Sequence, residues 1–262
     1  MAQERAGSPA FEACVPEEAR EVPVSGPTSE GLFVAASGER FFASDLHVPE
    51  AAAPDRGPSE DDFSVSTGQW EAVAQGSENR WGLIPAWIMI IDGTTGRRLY
   101  QVEQLRQGKA LFAPVHAAGA CADSLRQAER QARHDRSGLW RDRKAWPVYS
   151  AAAPERLSAQ AGRYSIIEGR IVSLGKTEHT RYLNFGRYWK TDFTGSLKIQ
   201  DEEVFNAALG RAGWELDALT GVTVELRGVV QERDGPLITL RHPEQLVVTE
   251  HKRAGRAGQD SD

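Results

Sequence analysis

The sequence predicts an α+β protein, mainly β with helices, built from two small β-barrel domains. Three observations favour this class. Short apolar runs of strand length recur in both halves of the chain. One long amphipathic helix is predicted between residues 118 and 137, and it is followed by a Gly-Leu-Trp sequence. A Pro/Ala-rich stretch, residues 146–162, then precedes a second set of strand patterns and predicts a linker.

Composition and charge narrow the class further. The 262 residues suffice for two domains, and 40% hydrophobic with 26% charged residues is typical of a globular protein. No apolar run approaches the roughly 20 residues of a membrane span, so no transmembrane segment is predicted. Residues 1–75 carry 14 acidic and 4 basic side chains, a balance of −10, which leaves +4 of the net −6 for residues 76–262. We therefore predict a flexible acidic arm over residues 1–28 and a disordered tail over residues 251–262.

The two cysteines, Cys14 and Cys121, form no CxxC pair, and the six histidines are scattered. No metal site and no cofactor are predicted. The cysteines are either two buried free thiols or a disulfide between the acidic arm and the long helix. A disulfide favours an extracytoplasmic, periplasmic location. The first five residues lack the basic and then apolar pattern of a signal peptide, so this location requires that a leader was removed. A cytoplasmic location follows otherwise.

The first domain is predicted over residues 29–145. A hairpin is expected from residues 31–35 and 39–43, and a second strand pair from residues 81–91 and 98–100. A short helix at residues 101–107 and a strand at 109–115 follow.

The long helix has a helical apolar stripe at Leu125, Ala128 and Ala132. Asp123 or Ser124 is expected to cap its start, and Gly138 its end. This stripe, with Glu129 and the sequence Gly138-Leu-Trp140, resembles the last helix of staphylococcal-nuclease-like (thermonuclease) domains. Val102, Leu105, Gly108 and Ala110 match a further segment of that family. The resemblance implies a five-stranded OB barrel with helices over about residues 29–141.

The chemistry of that family is calcium-assisted phosphodiester hydrolysis, which needs metal carboxylates, a glutamate and two arginines. Matching Pro49-Glu50 to the family's proline and glutamate places Phe42 where the first arginine belongs. A separate match of residues 79–83 to another segment of the family places Leu83 where the second arginine belongs. Residues 29–32 replace the acidic metal-binding run, and only Glu50 matches directly. The resemblance therefore implies a degenerate active site, with Glu50 as a vestige and no catalytic residue assigned.

One alternative keeps a residual calcium-dependent phosphodiesterase. In that hypothesis Arg40 and Arg80 act in shifted positions, and Asp45 and Glu50 hold calcium. Calcium is predicted only under this alternative.

The second domain is predicted over residues 163–250. A long strand at residues 163–174, bent at Gly169, is followed by strands at 181–186 and 194–199. A helix at 202–209 comes next. Two strands at 221–230 and 235–240 then complete the order of an OB-type barrel. This half also looks like the C-terminal OB-type domain attached to some bacterial thermonuclease-like proteins of the cell envelope.

Aromatic and basic residues interleave around the second predicted strand of this domain. Aromatic platforms beside cations bind single-stranded nucleic acid on OB faces. The candidates are Arg181, Asn184, Arg187, Tyr188, Trp189 and Lys190. The alternative is that the strand aromatics form the barrel core and that the loop is merely solvated.

The sequence thus predicts a non-catalytic binding protein that acts as a protein-interaction or nucleic-acid-binding scaffold. A protein partner is expected, and single-stranded nucleic acid is the second candidate partner. A structural subunit of an envelope assembly is the remaining alternative.

Overall fold

A computed structural model describes residues 8–49, 69–92, 96–188 and 190–249. The chain divides into two compact units, Met1–Trp146 and Pro147–Asp262. The predicted class is confirmed at the level of a mainly β protein with helices and a closed five-strand barrel. Within the described ranges no helix combines the length and the apolar character needed to cross a membrane.

The first unit is a closed barrel with helices packed on it. Its strands are β1 (Val22–Ser25), β2 (Leu32–Ala35), β3 (Arg40–Ala43), β4 (Leu46–His47), β5 (Gln69–Ala74), β6 (Ile84–Asp92), β7 (Gly96–Leu99) and β8 (Leu111–Phe112), and its helices are α1 (Pro9–Cys14), α2 (Tyr100–Arg106) and α3 (Gly119–Asp135). The strand order is β3-β2-β1-β5-β6, and the parallel pairing of β3 with β6 closes the ring. The interior is filled by apolar side chains such as Phe33, Phe41 and Ile88. Both predicted strand pairs of this domain are present, as β2–β3 and β6–β7.

The described part of the predicted flexible arm differs from the prediction, because residues 8–28 contain α1 and β1. Strand β1 lies between β2 and β5 in the barrel. Phe11 and Val15 are buried in the cluster that also contains the apolar side of α3. Cys14 and Cys121 form a disulfide that joins α1 to α3. The acidic composition of the arm concealed the few apolar side chains that attach it to the barrel.

The long helix has its apolar stripe as predicted, with Leu125, Ala128 and Ala132 buried. Its predicted caps are wrong. The helix begins at Gly119 without a side-chain cap, so Asp123 and Ser124 lie inside it. At the other end the left-handed C-cap is Arg136, at a φ of 54°, rather than Gly138.

Gly138 instead makes a backbone contact with Gly108, which follows α2. The amide of Leu139 donates to the carbonyl of Gly108 at 2.8 Å. A Cβ added to Gly108 would lie 2.2 Å from the carbonyl oxygen of Ser137, and one added to Gly138 would lie 2.3 Å from that of Gly108. Both glycines also have positive φ angles, 66° and 52°. The chain after α2 and the chain after α3 therefore meet where neither has a side chain.

The described residues of the second unit contain nine strands and two α-helices. These are β9 (Val148–Ser150), β10 (Tyr164–Arg170), β11 (Ser173–Lys176), β12 (Thr180–Asn184), β13 (Thr194–Lys198), β14 (Thr223–Val229), β15 (Gln231–Glu232), β16 (Pro236–Thr239) and β17 (Leu246–Val248), with α4 (Pro154–Ser158) and α5 (Glu202–Gly210). One sheet has the order β17-β14-β10-β9 and the other β11-β12-β13-β16-β15. A single apolar core, which includes Ile167, Leu226 and Phe205, lies within this unit.

Two features of the second unit differ from the sequence prediction. In the predicted linker, β9 pairs in parallel with β10, and Ala151 and Leu157 enter the core. The predicted long strand is interrupted between β10 and β11 rather than at Gly169. Gly169 instead permits close packing, because an added Cβ would lie 2.4 Å from the Cβ of Ala151.

Candidate functional site

A groove of about 610 Å³ lies along the sheet formed by β12, β13, β16 and β15. Most of its lining side chains are uncharged hydrogen-bonding groups. They come from alternate positions of the strands, because residues two apart on a strand share one face. The polar lining residues on the strands are Thr180, Tyr182, Asn184, Thr194, Ser196, Lys198, Gln231 and Thr239.

Hairpin turns flank the groove and define its ends. The turn between β11 and β12 is fixed by Thr177, whose amide donates to the carbonyl of Thr180 at 2.9 Å and whose hydroxyl accepts from the amide of Thr180 at 3.1 Å. The turn between β15 and β16 contributes Arg233 and Asp234 to the lining. Lys198 and Arg233 outnumber Asp234, so the charge of the lining side chains is +1.

The second turn packs against the loop at residues 186–192. Gly235 has a φ of 95°, and a Cβ there would lie 3.2 Å from the carbonyl oxygen of Lys190 and 3.3 Å from that of Asp192. The loop is held by Asp192, whose carboxylate accepts from the amide of Tyr188 at 2.7 Å. Candidates Arg187, Tyr188 and Lys190 are thereby placed next to the turn that carries Arg233. Tyr188 is 74% exposed.

The remaining nucleic-acid candidates have different positions. Asn184 lines the groove, and its amide donates to the hydroxyl of Ser173 at 3.2 Å. Arg181 does not reach the groove. It is 6% exposed and forms ion pairs with Asp217 and Glu202 on the other face of β12, as strand alternation requires. Trp189 lies outside the described residues.

The aromatic residues around β12 fall into two groups. Phe185 and Phe193 are core residues with ring centroids 5.0 Å apart, as the packing alternative predicted. Tyr182, half-buried, lines the groove instead.

Sequence reasoning missed the polar residues of β13 and β16, although a signal was present. Thr194, Ser196 and Lys198 alternate with residues that face the core, such as Leu197.

In the first unit, the two candidate nuclease arginines both contact one aromatic residue, Trp81. The guanidinium of Arg40 donates to the carbonyl of Trp81 at 2.9 Å. The guanidinium carbon of Arg80 lies 4.1 Å from the centroid of the Trp81 ring, which is 62% exposed. The structure thus brings Arg40 and Arg80 to one turn. Glu50 lies outside the described residues.

Asp45 has a structural environment that does not suit the calcium role of the alternative hypothesis. It is 3% exposed, and Oδ1 accepts hydrogen bonds from the amides of Val115, His116 and Ala117 at 2.8, 2.9 and 2.8 Å. Asp45 therefore holds the segment after β8 against the turn between β3 and β4. Two residues further on, burial lowers the pKa of His47. The described residues contain no group of three or more His, Cys, Asp or Glu side chains that could hold a metal ion.

Comparisons with known proteins add no assignment: no protein-family model matches the chain, and no curated protein matches it. The closed barrel of the first unit is compatible with an OB or staphylococcal-nuclease-like fold.

Proposed function

We propose that this protein is a non-catalytic binding protein made of two OB-type barrels, the first of them a degenerate thermonuclease-like barrel. In the first unit, the order β3-β2-β1-β5-β6 with parallel closure is compatible with an OB barrel and supports this proposal. The strands of the second unit would form the same ring if β10 and β11 count as one bent strand and β14 and β15 as another. The pairing of β10 with β14 and the parallel pairing of β13 with β16 support this interpretation. Helix α5 then lies between the third and fourth strands.

The proposed ligand is single-stranded nucleic acid, held in the groove of the second unit. The observation that carries the proposal is the groove itself, whose polar side chains line the face and turns that OB folds use for oligonucleotides. Lys198 and Arg233 supply cations for phosphates, and Tyr182 supplies an aromatic ring for a base. Arg187 and Tyr188, exposed beside the second turn, would extend the contact.

The absence of catalysis is proposed from the residues at the family's catalytic positions. Phe42 and Leu83 stand where the resemblance expects arginines, and the loss of one preorganised charge costs about two to three orders of magnitude in rate. Asp45 is engaged by backbone amides. A calcium-dependent phosphodiesterase that uses Arg40 and Arg80 is the alternative that the test below also examines.

An extracytoplasmic location is proposed from the disulfide. Disulfides persist in oxidising compartments and are rare in the cytosol. The Cys14–Cys121 bond is buried, with both cysteines in the core of the first unit. Labelling of the free thiols under denaturing conditions, in protein extracted from its native cell under acid quench, tests this proposal: one pair of unreactive cysteines supports it, and two reactive thiols contradict it.

The function is tested by fluorescence polarisation of a labelled single-stranded oligonucleotide, with and without calcium. We expect binding that weakens steeply with added salt and no cleavage. Tyr182→Ala and Arg233→Gln should each weaken binding about tenfold, because stacking and charged contacts contribute about 1–3 kcal/mol each. Arg156→Gln, an exposed change on α4, is the matched control and should bind as the unchanged protein does.

Each other outcome points to a different hypothesis. Calcium-dependent cleavage would favour the phosphodiesterase hypothesis and contradict the non-catalytic one. Absence of binding at low salt would contradict the nucleic-acid proposal. A protein partner or a subunit role in an envelope assembly would then be tested by co-purification.

A further inference from the structure

The first unit contains a second concave site, at one mouth of its barrel. A pocket of about 400 Å³ opens where β1, β3 and β6 begin and β5 ends. Its apolar lining consists mainly of Val22, Phe41, Val73 and Ile84. This size and this apolar character are those of small-molecule sites.

One wall of the pocket is the segment that connects α1 to β1. Pro16 and Ala19 line it, and the amide of Ala19 donates to the carbonyl of Pro16 at 3.0 Å. The Cys14–Cys121 disulfide holds this segment at its start, and the pairing of β1 holds it at its end. The wall is therefore formed before any ligand arrives, which lowers the entropic cost of binding.

Gln75 and two residues of opposite charge also line the pocket. Arg20 comes from the wall segment, and Glu39 from the turn between β2 and β3. Among the described residues these two side chains form no ion pair with each other or with a third group. Glu39 accepts one hydrogen bond, from the hydroxyl of Ser37 at 2.8 Å.

We propose that this pocket binds a small zwitterion with an apolar body, of the class of free apolar α-amino acids. The ligand's carboxylate would accept hydrogen bonds from Arg20, and its ammonium would donate to Glu39. The apolar side chain would cover Phe41 and Ile84. A ligand with only one charge would form only one of these two ion pairs. This inference concerns the first unit and is independent of the nucleic-acid groove.

The test is an NMR titration of the full-length, ¹⁵N-labelled protein with L-phenylalanine. We expect shifts of amides in the pocket lining and a dissociation constant of about 1 mM, as befits roughly a dozen non-hydrogen atoms. N-acetyl-L-phenylalanine lacks the ammonium and L-phenylalaninamide lacks the carboxylate. Each should bind about fivefold more weakly or worse.

Two variants link each charge of the ligand to one residue. Arg20→Gln should weaken L-phenylalanine about fivefold and leave the affinity for L-phenylalaninamide unchanged. Glu39→Gln should weaken L-phenylalanine similarly and leave the affinity for N-acetyl-L-phenylalanine unchanged. Both side chains are exposed, so both variants should keep the dispersed spectrum of the folded protein.

The matched controls are Arg156→Gln and Glu155→Gln on α4 of the second unit, which should bind L-phenylalanine as the unchanged protein does. Ala74→Trp, at the exposed edge of the pocket, should abolish binding by filling it. The proposal is overturned if saturating L-phenylalanine shifts no pocket amide. It is also overturned if the two analogues bind as tightly as L-phenylalanine, since the pocket would then recognise only the apolar ring.

Discussion

Removal of the Cys14–Cys121 disulfide should destabilise the first unit and leave the second unchanged. The bond spans 107 residues of sequence. In the chain-entropy model, a loop of that length raises the free energy of unfolding by about 4.8 kcal/mol, and measured values are commonly about 2–4 kcal/mol. We expect a loss in that lower range in the Cys14→Ser/Cys121→Ser double variant and in the reduced protein.

The assay is urea unfolding followed by tryptophan fluorescence, with and without a phosphine reductant, together with hydrogen exchange by mass spectrometry. Exchange should rise first in residues 9–25, which contain α1 and β1. Residues 147–262 contain no cysteine, so the unfolding midpoint of the second unit is an internal control. A first-unit loss below about 1 kcal/mol, or an equal shift in the second unit, would refute the idea that this bond stabilises the first unit.

Three further predictions concern single residues. Asp45→Ala should lower the free energy of unfolding of the first unit by about 3 kcal/mol, measured by urea unfolding, because three amides lose their acceptor. Asp45→Asn should lower it less, since asparagine keeps an acceptor and tolerates the φ of 62°. Equal losses would contradict this explanation. Gly235→Ala should destabilise the second unit by about 1–2 kcal/mol, because residue 235 has a positive φ. Gly210→Ala should not destabilise it, because the space around Gly210 is open. Equal urea midpoints for the two variants would exclude strain at residue 235. Burial lowers the pKa of His47 below its ordinary value of 6.5 in the folded protein. The unfolded chain therefore binds more protons than the folded protein as the pH is lowered, and the melting temperature should fall from pH 7 to pH 5. His47→Gln should reduce that fall, and an unchanged pH dependence would rule out His47 as its source.

The sequence pattern predicted the elements whose signal is local. The hairpin of β2 and β3, the pair of β6 and β7, and the stripe of α3 all follow from spacing alone, and each is present. The sequence pattern failed where tertiary contacts determine the structure of a segment. Helix α1 has only six residues and strand β1 only four, and their burial depends on partners more than 40 residues away in sequence.

In the candidate groove, too, the local pattern determines the position of some residues and tertiary contacts determine that of others. Asn184 was identified from its own strand, because alternation fixes which side chains share a face. Alternation also explains the error at Arg181, which occupies the opposite phase and lies buried against Asp217. Gln231 and Arg233 come from a strand and a turn far along the chain, so only the assembled sheet places them in one groove with Tyr182.

The contact between Gly108 and Gly138 makes two positions, 30 residues apart in sequence, depend on one another. An alanine at either site would push a methyl group into the backbone of the other segment, and no smaller residue on the other side exists to make room. Replacement of both glycines should therefore bring no compensation, unlike an ordinary pair of core residues in which one shrinks as the other grows. Such a pair offers a steric criterion for recognising a distant relative of this chain: both glycines are retained, or the ends of α2 and α3 have moved apart.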